Sequence, residues 1–226
     1  MATPAARPLG AQPGATRPAR STPPDAWLKP GIFVGSLVPL AYLVWRAATN
    51  RLGANPIAEI ENELGLAGLI LLVASLACSP ARRAFGWTWA PRVRRELGLL
   101  AFFYASLHVA VYIFIDQALN VSAMTADVLK RPFITVGFAA MVLLIPLALT
   151  STKQSIRRMG FKRWQRLHYL AYVAAILVVI HFFWRVKIDV SQPLIYAYVL
   201  ASLFVIRAGV WLLQKRRPAR PVAGAG

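Results

Sequence analysis

The chain has 226 residues, 58% of them hydrophobic, and a net charge of +18. Apolar runs of about 20 residues, the length a bilayer demands, take up nearly all of its ordered length, which excludes a separate soluble catalytic domain. The charge does not point to nucleic acid, because the basic residues fall in short blocks between apolar runs, and the lone Cys78 excludes an intramolecular disulfide or a multi-cysteine cluster.

Residues 1–30 are rich in Pro, Ala, Arg and Thr and lack an apolar core, so they are expected to form a disordered tail on the cytoplasmic side. The expected transmembrane domain occupies residues 31–214, and residues 215–226 form a second basic cytoplasmic tail. A first span is predicted over 31–48, with Pro39 inside it, followed by an acidic loop holding Glu59, Glu61 and Glu63. A second, short span covers 64–80, with Gly65 and Gly68 on a small-residue face suited to close helix contact.

Arg82, Arg83, Arg92, Arg94 and Arg95 form the first strongly basic loop. The third span, 97–115, carries His108, and a polar connection leads to the fourth, 133–149. A second basic loop precedes the fifth span, which lies within residues 164–187 and holds His168 and His181. The sixth, 193–213, contains Arg207.

Six spans place 19 Lys and Arg residues on one side and 6 on the other, with Arg207 inside a span. That imbalance predicts an all-α, polytopic bundle of six helices with both termini cytoplasmic. A five-span alternative, with the second segment re-entrant, separates the termini and spoils the alternation.

All three histidines fall in apolar segments. An ionisable residue there is costly without a partner and marks a functional site by default. At about 1.5 Å per residue, His181 lies about 24 Å from the cytoplasmic end of its span, His108 about 18 Å and His168 about 5 Å. His108 therefore matches His181 in depth. Two imidazoles from facing helices suit a b-type haem, which needs no covalent Cys attachment. A histidine-bound transition metal and purely structural hydrogen bonding are the competing readings; the spread of depths weighs against three ligands meeting at one ion.

His168, at the polar interface and on an ideal helix turned about 140° from His181, is a third candidate ligand or a residue bonded to headgroups and water. Tyr104 and Tyr112 flank His108 at i−4 and i+4. Arg207 is a candidate partner for a haem propionate or a quinone headgroup, and equally a snorkelling residue. The chain has no G-x-G-x-x-G or P-loop, so electrons would arrive from another carrier.

Several strings are family-specific: RRELGLLAFFYASLH ending at His108, RPFITVGF from Arg131, LALTSTKQSIRRMGFKRWQRLHYLAY around His168, and HFFWRVK from His181 followed by QPLIYA. In this order, over about residues 27–215, the chain resembles the MsrQ (YedZ) family, haem-binding membrane subunits of bacterial methionine sulfoxide reductase systems, within the ferric-reductase-like transmembrane domains. The resemblance implies a multi-pass inner-membrane subunit passing electrons from the quinone pool through haem b to the periplasmic molybdopterin enzyme MsrP, which reduces oxidised periplasmic proteins. It implies FMN as an associated cofactor, without a location, and haem ligands at His108, His168 and His181. It departs from the family in having Leu64 before Gly65, where Thr-Gly is usual, and in its Pro-rich tail. Ferric reductases carry two histidines on the third span, where this chain has His108 alone. A stand-alone ferric or quinone reductase and a haem-free transporter or scaffold are the alternative functions.

Overall fold

The computed structural model describes residues 27–216, and all its regular elements are helical. Most of the expected N-terminal tail, up to residue 26, and the end of the C-terminal tail, beyond residue 216, lie outside the described residues. Six helices are long and apolar enough to cross a membrane, which makes the chain a multi-pass membrane protein.

Helix α1 (Leu28–Ala48) starts inside the expected tail. Pro30 sits in its first turn, where an absent N–H costs nothing because those donors have no intrahelical partner. Helix α2 (Pro56–Phe85) is 30 residues long, far longer than the span expected from apolar content alone. The segment read as an acidic loop is its first two turns. Asn55 caps it by accepting from the Ala58 N–H at 3.2 Å, Pro56 takes the first helical position, and Glu59 complements the positive end of the dipole. Arg46 at the end of α1 ion-pairs with Glu59 and Glu63, fastening α1 to this extension.

Helix α3 (Ala90–Ala110) continues without interruption into a π-helical turn, Val111–Asp116. Such widened turns recur at functional sites. The polar connection that follows contains a short helix, α4 (Val121–Lys130), capped by Asn120. Helix α5 (Pro132–Leu149) again begins with proline, and the second basic loop folds into α6 (Lys153–Met159) and α7 (Phe161–His168), separated by Gly160 at a φ of 78°.

The fifth span, Phe161–Arg185, comprises α7 and α8 (Leu170–Arg185), joined through Tyr169, whose backbone stays in the right-handed helical region. They meet at Tyr169, where the backbone tightens to three-residue bonds, Tyr169 N–H to Arg166 at 3.2 Å and Tyr172 N–H to Tyr169 at 3.0 Å. Neither Pro nor Gly marks this tightened turn in the sequence. Helix α9 (Ser191–Arg216) closes the bundle and runs past the expected end of the sixth span.

The most extensive helix contacts join α2 to α3 and α5 to α8. Small residues allow this closeness: Gly68 of α2 lies against the Ala101 and Ala105 backbone of α3, while Ala174 and Ala175 of α8 are fully buried. Leu69, Leu72, Leu76, Leu144, Val179, Leu200 and Leu203 fill the centre around them.

Candidate functional site

Between the two helix pairs lies a cavity of about 760 Å³, within the range of small-molecule and cofactor sites. Its wall contains His108 from α3 and His181 from α8, whose ring centres are 6.2 Å apart and whose planes cross at 81°. The depth match expected from the sequence is thus realised.

The two rings are held by the same device. His108 Nδ1 is 2.8 Å from the carbonyl oxygen of Glu61 on α2, and His181 Nδ1 is 2.7 Å from that of Phe133 on α5. A carbonyl only accepts, so each ring carries its proton on Nδ1 and keeps the Nε2 lone pair on its opposite edge. Four residues beyond each carbonyl stands a glycine. A Cβ at Gly65 would lie 3.3 Å from His108 Nδ1, and one at Gly137 would lie 2.7 Å from His181 Nδ1. The missing side chains let each ring reach a carbonyl that already serves its own helix.

Two imidazoles that share a metal ion place their ring centres about 6 Å apart, given about 2 Å from metal to nitrogen and about 1 Å from nitrogen to ring centre on each side. The observed separation meets that requirement with both Nε2 lone pairs available. Among the described residues no group of three or more His, Cys, Asp or Glu side chains forms a metal-ion cluster. What the cavity offers is two imidazoles, one from each helix pair.

The cavity is polar at one end and apolar at the other. Glu61, Tyr112, Arg131, Arg185 and Lys187 stand toward its mouth; Leu69, Leu72, Ala101, Leu144 and Val178 line its floor. The Tyr112 hydroxyl and Glu61 Oε1 are buried without a hydrogen-bond partner. Tyr104, the other neighbour considered for His108, instead donates its hydroxyl to the Ser36 carbonyl of α1, in the turn before Pro39, and stays outside the cavity.

The ferric reductase like transmembrane component family matches residues 63–179, a range that includes His108 and ends two residues before His181. The chain is 50% identical over 202 residues to a protein of Deinococcus radiodurans, covering 89% of this chain and 99% of that one. It is 49% identical over 189 residues to one from Rhodospirillum rubrum (84% and 90% covered) and 45% identical over 206 residues to one from Herminiimonas arsenicoxydans (90% and 94% covered). Each of these relatives is named a protein-methionine-sulfoxide reductase heme-binding subunit, MsrQ.

The chain belongs to the MsrQ family.

Two of the residues singled out in this MsrQ-family sequence lie away from the cavity. His168, at the end of α7, is half-buried with Nε2 3.2 Å from Thr150 Oγ1, and its ring lies 4.0 Å from the Trp164 ring centre. Trp164 Nε1 in turn donates to the Thr150 carbonyl at 3.0 Å, and Arg95 Nε to the Ser151 carbonyl at 2.6 Å. These bonds fasten α3, α5 and α7 together at the basic end of the bundle.

Arg207 neither lines the cavity nor snorkels outward. Its guanidinium donates to the Tyr172 hydroxyl and, at 2.7 Å, to the Leu76 carbonyl of α2. The sequence of α2 supplies the reason. Pro80, four residues after Leu76, has no N–H to give that carbonyl, so the helix ladder leaves it unpaired and Arg207 fills the vacancy from α9.

Gly65 stood out in the sequence only as a small-residue contact, and Gly137 and Arg185 were assigned no role at the site. A glycine four residues after a carbonyl is visible in the sequence, but which ring enters the gap is decided by helix pairing.

Proposed function

We propose that this chain is a haem b electron-transfer subunit, with His108 and His181 as the axial ligands. The observation that carries the reading is the pair of Nδ1-anchored imidazoles 6.2 Å apart across one cavity. The printed names of the relatives, which describe heme-binding subunits, support it. Haem supplies a one-electron couple. The protein's part is to fix both imidazoles, keep their Nε2 lone pairs free, and exclude water with Leu69, Leu72, Leu144 and Val178.

The redox partner belongs to a methionine sulfoxide reductase system. We take it to be MsrP, a periplasmic molybdopterin enzyme, with the quinone pool as electron source, in the bacterial inner membrane. Basic loops on the far side from the cavity mouth support cytoplasmic termini and a haem nearer the periplasm. His168 would serve only a second centre, at the cytoplasmic end, and Arg207 has no contact with the proposed haem pocket. FMN, if carried, is assigned no residues.

Purified protein from haem-sufficient cells is expected to show a reduced b-type spectrum. His108→Ala and His181→Ala are each expected to abolish it, and an unchanged spectrum in either variant refutes that ligand. Methionine sulfoxide turnover should require both this subunit and the molybdoenzyme; turnover of ferric iron by this chain alone would favour the stand-alone reductase.

A further inference from the structure

Resting on the haem reading above, we propose that Tyr112 and Arg185 bind the two propionate carboxylates of the haem, so that its charged edge faces the mouth of the cavity. The argument starts from helical register. Tyr112 follows His108 by four residues on one side of the cavity, and Arg185 follows His181 by four on the other. Each stands about one turn beyond an imidazole of the proposed axial pair, and both turns lead toward the same end of the bundle.

Both donors have capacity to spare. The Tyr112 hydroxyl is buried without a partner, its ring held edge-on to Phe138 with centres 6.1 Å apart. Arg185 is half-buried in the cavity wall, and among the described residues it makes no hydrogen bond and no ion pair within 4.0 Å. Arg131, the other guanidinium at this end, is already paired with Asp127 at 3.3 Å. A buried hydroxyl and a guanidinium left unsatisfied are costly, and a planar carboxylate is the acceptor that suits a guanidinium fork.

Polarity along the cavity agrees. Haem is an apolar disc with both carboxylates on one edge, and the leucine-lined floor offers nothing to the charged edge. The acidic groups at the mouth do not reverse the assignment: Asp116 and Asp189 are exposed, Asp116 accepting from Gln117 and Asp189 from the Ser191 N–H. Glu61 remains as the competitor, since its carboxylate lines the same wall and could take Arg185 instead.

The test compares full-length protein, prepared without haem in detergent, for binding of protohaem and of its dimethyl ester, in which the carboxylates are masked. Wild type is expected to prefer protohaem by about ten-fold or more. Arg185→Gln and Tyr112→Phe should each lose most of that preference while changing affinity for the ester by less than about two-fold. Arg185→Lys, which keeps the charge, should retain part of it. Equal binding of both haems by wild type overturns the assignment while leaving haem binding intact. Equal weakening toward both haems in the variants also overturns it, since Arg185 would then act structurally, for instance by pairing with Glu61. Wild type that takes up neither haem overturns the haem reading as well.

Discussion

The two ends of the bundle treat their buried polar groups in opposite ways. At the basic end, His168 has Thr150 and Trp164, Arg207 has Tyr172 and the Leu76 carbonyl, and Glu96 has Lys29, so that Arg207 Nε and Glu96 Oε2, the unpartnered atoms there among the described residues, belong to side chains already bonded through another atom. At the other end, His108 and His181 are each tied down on one nitrogen and left open on the other, and the Tyr112 hydroxyl and Glu61 Oε1 have no partner at all. The contrast separates polar residues that complete the fold from polar residues the fold leaves incomplete. Only the second kind marks a place for a ligand.

Substitutions at the two ends should therefore fail differently. The largest effect is expected from Gly137→Ala, whose Cβ would lie 2.7 Å from His181 Nδ1 and must displace the ring. Haem content per protein should fall by about ten-fold or more, while circular dichroism keeps its helical signature. A normal haem content would break the contrast.

Arg207→Met is next, and of the opposite kind. It strands the carbonyl that Pro80 frees, at a cost of about 1–3 kcal/mol read as a lower thermal unfolding midpoint, with the haem spectrum unchanged. A shifted spectrum would join Arg207 to the site after all.

Gly65→Ala places its Cβ 3.3 Å from His108 Nδ1, a distance the ring can accommodate by a small shift. Haem content should drop by no more than about three-fold, so the ratio between the two alanine variants measures how unequal the two cradles are. The smallest effect is expected for Thr150→Val, which removes the hydroxyl beside His168 at a cost of about 1 kcal/mol or less in thermal stability and leaves the spectrum intact.

Much of this was legible from apolar runs alone. They give six spans, and counting residues along them matches His108 with His181 in depth while setting His168 apart. What they hide has two causes. A helix does not stop where its apolar run stops: α2 begins at Pro56, carried by its Asn55 cap, so Glu61 belongs to the helix and its carbonyl is available to His108. The second cause is that contacts between helices leave no periodic trace. Phe133 and Gly137 look like ordinary members of an apolar segment until α8 brings His181 against them. The tightened turn at Tyr169, between His168 and His181, has no local marker at all.

The proline in α2 ties the history of two distant positions together. With Pro80 in place, Arg207 answers a carbonyl 131 residues away in sequence. Replace the proline with alanine and the helix closes its own ladder, so the arginine becomes dispensable to that carbonyl. Each substitution changes what the other costs, and in an alignment of relatives the two positions should vary together: chains without the proline are the ones free to lose the arginine.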